Sequence, residues 1–254
     1  MVLGIVAAIG LAMTVPSTAG AAEPAPTAPP SDYPAALTAR LAKEYGDPTL
    51  AQQVVGGLDA GLLAKLEARV PLGQVATSPF LAYKPERVPA RTVDSVVAFS
   101  FGNRTAADGT ITAGPMNEAL AASIAKFVKK HPVPVFAQQE IAQILQADGV
   151  KNVTSIDPMV GPDGQPVYLS TAGVAQQIVE KAATAGTRLG TVGVIGFADH
   201  AVRCVLTARG ATMDAAVPSG VVLPKTYDPQ SGQPWTRDRA AYLPVDLIGR
   251  ITTL

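Results

Sequence analysis

Residues 196–204 read GFADHAVRC and hold the only cysteine of the 254-residue chain and one of its two histidines. If a helix begins near Asp199, then His200 and Arg203 fall in its first turn, beside unpaired backbone N–H groups and the positive end of the helix dipole. An anion is the natural ligand of such a place. Arg203 adds a planar fork suited to phosphate or carboxylate. His200 can donate a hydrogen bond or move a proton near neutral pH, which makes it the candidate catalytic residue. Cys204 follows His200 by four residues on the same helix face, so a Cys–His dyad is sterically conceivable, although two side chains one turn apart and pointing the same way are poorly set for proton transfer. The plainer reading of Cys204 is a small buried apolar side chain.

What must position these residues is an alternation of short apolar runs and amphipathic stretches. SVVAFSF, VPVFA, NVTSID and TVGVIGF read as strands. The first is apolar on both alternations, as a strand covered on both faces should be. Between and after them, GPMNEALAASIAKFVKKH, QQEIAQILQADGV, STAGVAQQIVEKAATAG and DHAVRCVLTARG carry helical periodicity, with Ser170 or Thr171 as a cap and Gly186 as a stop. Strands alternating with helices imply right-handed crossovers and a doubly wound α/β domain with a mostly parallel sheet.

In such a sheet a ligand binds beyond the carboxyl ends of the strands. That geometry nominates Gly102, Asn103 and Arg104 after the first strand, Asn117 and Glu118 at the start of the next helix, Gln138 after the second strand, Thr171 before the third helix, and Asp199, His200 and Arg203 after the fourth. The chain contains no three-glycine dinucleotide fingerprint, no Gly-Lys-Ser/Thr loop and no Gly-x-Ser-x-Gly elbow, so no nucleotide cofactor is assigned and the usual hydrolase turn is excluded. Two histidines and one cysteine do not make a closed zinc site, and no metal is expected. His131, after two lysines, suits a helix C-terminus. Trp235 and the prolines of LPKTYDPQSGQPW read as a tail laid back over the domain.

Residues 1–22 open on an apolar stretch of about fifteen residues, shorter than the roughly 20 of a spanning helix, and end in small residues suited to signal-peptidase cleavage. Export is expected, with contact to a membrane only through an uncleaved signal segment. Residues 23–34 are a Pro/Ala-rich linker, and residues 35–90 a helical extension in which two helices, the second starting near Pro48 or Thr49, precede an irregular crossing. The α/β domain and a C-terminal helix take up 91–254. Formal net charge is zero, which gives no field for nucleic acid, and a single cysteine forms no disulfide within the chain.

From about Val93 onward the order of features resembles the YdcF, SanA and ElyC-like family of bacterial envelope proteins. Asp199-His200-Ala201-Val202-Arg203-Cys204 matches the His and Arg of that family's Ser/Asp-x-His-x-x-Arg-Ala motif, and PWTRDRAAYLPVDLIGRI is similar to its terminal Trp/Arg-rich helix. Thr171 matches the Thr of a Thr-x-x-Asn motif, with Val174 in place of the Asn. The resemblance implies a Rossmann-like domain, a location in the cell envelope or outside the cell, and a phosphate-bearing or nucleotide-like small molecule bound or processed in envelope metabolism. The alternative is a non-catalytic envelope protein that binds a protein partner through the helices of 35–70 on a degenerate scaffold.

Overall fold

The computed structural model describes residues 32–107, 110–161, 166–167 and 169–254. Three helices come first, α1 (Tyr33–Tyr45), α2 (Pro48–Gly56) and α3 (Ala60–Arg69). Then follow β1 (Arg87–Val88), β2 (Ser95–Ala98), a two-strand ribbon of β3 (Arg104–Thr105) and β4 (Ile111–Thr112), α4 (Gly114–Val128), β5 (Val135–Gln138), α5 (Gln139–Ala147) and β6 (Val153–Ile156). A second ribbon, β7 (Met159–Val160) and β8 (Pro166–Val167), leads to α6 (Thr171–Thr184), β9 (Thr191–Ile195), α7 (Ala201–Gly210), β10 (Asp214–Pro218) and α8 (Arg239–Thr253).

The four expected strands form, and their apolar content has the expected cause. β2 is buried along its whole length, with Val97 paired to Phe136 on one side and Val194 on the other. The sheet has six strands in the order β1-β10-β9-β2-β5-β6, all parallel, so the fold is α/β and doubly wound. Two strands lie outside the sequence expectation. β10, Asp-Ala-Ala-Val-Pro, is too poor in large apolar residues to announce itself. β1 is two residues long and is held by the Arg87 guanidinium, which donates to the carbonyls of Pro218 and Val221, each at 3.0 Å. Chain order reverses between β2 and β9, and the crevice opens at their carboxyl ends.

The N-terminal region also differs from expectation. It holds three helices, because the chain stops at Gly56-Gly57 and restarts where the Asp59 carboxylate accepts the N–H of Leu62 at 2.8 Å. Tyr33 and Pro34, assigned to the linker, are the first turn of α1. The signal segment and the rest of the linker lie outside the described residues. Among the described residues no helix is long and apolar enough to cross a membrane.

Two apolar cores result. The larger lies on the two faces of the sheet, and the smaller joins Leu37, Leu41, Val54 and Leu66 of the N-terminal helices to Leu243, Leu247 and Ile251 of α8. α8 therefore belongs to both, since Tyr242, one position from Leu243, sits in the larger core. A helix advancing about 100° per residue presents these neighbours to different layers.

Candidate functional site

At the switch between β2 and β9 lies a crevice of about 260 Å³. Phe99 to Gly102 form one wall, Gln138 and residues 169–172 a second, and His200, Arg203, Gln233, Trp235, Thr236, Tyr242 and Thr253 the rest. Trp235 is 45% exposed, so the tail edges the crevice without filling it. The first turn of α6 opens on the same space. There the Ser170 hydroxyl accepts the N–H of Gly173 at 3.1 Å, and Thr171 and Ala172 of the same turn line the hollow.

Of the nominated residues, Gly102, Gln138, Thr171, His200 and Arg203 come together here. The others are placed elsewhere, each for a visible reason. Asn117 is buried and fully used inside the fold: its amide oxygen accepts the N–H of Phe101 at 2.8 Å, and its nitrogen donates to the carbonyls of Gly102 at 2.8 Å and Ala113 at 2.7 Å. It shapes the turn after β2. Arg104 makes a two-pronged contact with Asp228 at 2.8 and 3.0 Å, Asn103 is buried with its carbonyl accepting from Gly232, and Glu118 is exposed on α4. Asp199 does not cap α7. Its carboxylate accepts from Tyr227 at 2.9 Å and from Arg239 at 3.0 Å, and α7 starts at Ala201 after a turn in which His200 N–H bonds Phe197 O at 2.9 Å.

Gly102 is a structural requirement of the crevice wall. Its φ is +67°, and a Cβ there would meet Met116 Cε at 2.5 Å and the Ser231 and Thr236 hydroxyls at 2.8 Å. Behind the wall Gln138 ties two strand ends together, its side-chain oxygen accepting the N–H of Ser100 at 3.1 Å.

Three residues absent from the sequence reading organise the floor. Asp246 of α8 is fully buried, and Arg250, one turn on and equally buried, donates to it from Nε at 2.8 Å while its Nη1 donates to the carbonyls of Phe80 at 2.9 Å and Ala82 at 2.7 Å. Tyr242, one turn before Asp246, has its hydroxyl 2.6 Å from His200 Nδ1 and 3.2 Å from Asp246 Oδ1. Arg203 Nε lies 3.4 Å from the same Oδ1, yet it is buried and makes no hydrogen bond. Gly249 completes the floor, because the Arg203 guanidinium occupies the place a Cβ would take. The readable signal was Tyr242, Asp246 and Arg250 at four-residue spacing beside an apolar stripe, a pattern that places three polar groups on one buried edge of a helix.

The cluster thus sets one carboxylate against two guanidinium groups, leaving one positive charge in excess at Arg203, on the crevice wall. Burial, Arg203 and Arg250 outweigh the carboxylate of Asp246 and bring the His200 pKa down to about 4, so the imidazole is neutral at physiological pH. Burial pulls the Asp246 carboxyl upward, but Arg250, His200 and Arg203 hold it well below the ordinary carboxylate range. Nε2 of His200 makes no hydrogen bond among the described residues. When the Tyr242 proton goes to Nδ1, Nε2–H becomes a donor; when it goes to Asp246, Nε2 becomes an acceptor. An anion in the crevice selects the first.

Cys204 takes no part in this arrangement. Its thiol is fully buried against Gly196, within 3.2 Å of where a Cβ would stand, and burial raises its pKa far above the ordinary thiol range. The buried apolar role describes it, and the thiolate a dyad needs is strongly disfavoured. His131 packs against Phe127, with ring centroids 4.9 Å apart and planes tilted by 32°, away from the crevice.

No family model, curated protein or solved structure matches the chain.

Proposed function

We propose that the crevice between β2 and β9 binds, and in an enzyme reading processes, a phosphate-bearing or nucleotide-like small molecule, and that the protein does so outside the cytoplasm as an exported envelope protein of the YdcF/SanA/ElyC-like kind. The observation that carries this reading is Arg203 on the crevice wall, which shares the single carboxylate of Asp246 with the buried Arg250 and so leaves one positive charge in excess beside the crevice. An anion in the crevice would balance that excess through a charge-assisted contact with the guanidinium. Neutral His200 supplies a second donor, and the first turn of α6 a third, so the starts of two helices, α6 and α7, converge on one small volume suited to a phosphoryl group.

The alternative of a non-catalytic partner-binding protein relied on the apolar helices of 35–70. Leu37, Leu41, Val54, Val55, Leu58 and Leu66 are buried within the chain's own smaller core, which leaves few apolar side chains there for a partner. Calorimetric titration with inorganic phosphate, a sugar phosphate and a nucleoside monophosphate tests the proposal. At least one should bind, and Arg203→Ala should weaken it about tenfold or more, a loss of about 1.5–3 kcal/mol for a charge-assisted contact. Absence of binding by all three, or binding unchanged in Arg203→Ala, would remove the anion reading and return the partner-binding one.

A further inference from the structure

A second hollow, distinct from the crevice, runs between α4 and the segment 219–228 that follows β10, and encloses about 600 Å³. That is within the roughly 300–1,000 Å³ of small-molecule sites. It exists because Pro115, Ala119 and Ala122 recur at helical spacing along the outer face of α4 and are too small to fill it, while Phe127, Val222 and Tyr227 wall it. Val222 stands 81% exposed at its edge.

The rim is cationic. Lys126 and Lys130 come from the end of α4 and just beyond it, and Lys225 from the opposite wall. None of the three has a carboxylate partner among the described residues. Asp228, the acid of the lining, is buried and committed to Arg104 at 2.8 Å. A helix C-terminus accounts for lysines at 126 and 130. It does not account for Lys225, which arrives on a different element and faces the same apolar volume.

We infer that this groove binds a single-chain amphiphilic anion of the fatty-acid class, with its chain along Ala119, Ala122 and Val222 and its carboxylate among Lys126, Lys130 and Lys225. Apolar walls with an unpaired positive rim are complementary to that chemistry and to neither a cationic nor a fully polar ligand. The chain's own apolar N-terminal run, Met1 to Val15, contains no acidic residue to meet the lysines, so it does not match the rim. The inference is independent of the crevice and of its ligand.

Titration of the full-length protein with laurate, decanoate, dodecyl maltoside and dodecyltrimethylammonium, below their micellar concentrations, tests it. Laurate should bind at one site, about fifteenfold more tightly than decanoate, since each of its two further buried methylenes strengthens binding roughly fourfold. It should also bind at least about tenfold more tightly than the cationic amphiphile, a margin that shrinks as salt screens the lysines. Ala122→Trp fills the groove from an exposed position and should abolish binding, whereas the Lys126→Glu, Lys225→Glu double variant should weaken laurate about tenfold and spare dodecyl maltoside. Indifference to the head-group charge, no binding of laurate, or full laurate affinity in the lysine variant, which changes only exposed side chains, would each overturn the inference.

Discussion

Arg203 carries a charge that its surroundings do not balance, and the reason is local. Asp246 is shared with Arg250, whose Nη2 lies 2.7 Å from one carboxylate oxygen, while Arg203 reaches the other only at 3.4 Å. Gly249 decides where that guanidinium rests, because any side chain there would displace it. Gly249→Ala should therefore lower affinity for a phosphate-bearing ligand in the same direction as Arg203→Ala. Its helix propensity term of about 1 kcal/mol favours alanine, so the melting temperature should not fall as it would from a general loss of packing. Cys204→Ser tests the other half of the opening motif. A hydroxyl replacing a fully buried thiol should cost on the order of 1–3 kcal/mol in urea unfolding and leave ligand affinity unchanged, and loss of binding in that variant would restore a chemical role for the thiol.

α8 is the element that converts a turn after β9 into a site. One of its edges packs Leu243, Leu247 and Ile251 against α1 to α3, and the adjacent edge turns Tyr242 and Asp246 toward His200 and Arg203. Arg250 and Arg239 fasten it at two levels, to the carbonyls of Phe80 and Ala82 and to Asp199 and the carbonyl of Tyr45. Removing Asp246 leaves a fully buried guanidinium with no countercharge. Asp246→Asn should cost about 3–5 kcal/mol, whereas Asp59→Ala, which removes an exposed helix cap, should cost about 1 kcal/mol. Chemical denaturation of both variants checks the ratio. Anion affinity of folded Asp246→Asn should not fall, because deleting the carboxylate enlarges the positive excess beside the crevice.

For the whole molecule the buried cluster sets the response to acid. His200 faces Arg203, Tyr242, Asp246 and Arg250, and its pKa drops from 6.5 in the unfolded chain to about 4 in the folded one. Between those values the unfolded chain binds the proton and the native one does not, so stability is present above pH 6.5 and is lost as pH falls toward 4, by on the order of 3 kcal/mol. Asp246 acts in the same direction further down, since its carboxyl is held below the ordinary range and the unfolded chain protonates first. Denaturation midpoints measured from pH 7.5 to 4.5 should fall, and His200→Gln should flatten the profile over that interval. A wild-type midpoint that rises on acidification would contradict the assignment of a neutral native imidazole.

The α/β class, four of the six strands, the crossover helices and the cap at Ser170 were legible in the sequence because each is a local signal. Apolar runs, 3.6-residue periodicity and capping residues act within a dozen positions. β10 and the extra helix start at Asp59 are local as well, but β10 is written in alanines that periodicity does not weigh. His200, Arg203, Gly102, Gln138 and Thr171 line one crevice because a parallel sheet directs its strand ends and helix starts there. The same rule nominated Asn117, Arg104 and Asp199, which the tertiary structure turns to hold backbone turns, Asp228 and Arg239 instead. Tyr242, Asp246 and Gly249 stand about forty residues or more beyond the motif they complete, and only the docking of α8 on the sheet brings them to it. What side chains do at a strand end is set by local pattern, whereas which charges remain unpaired there depends on partners that arrive from distant chain, and no local signal records their arrival.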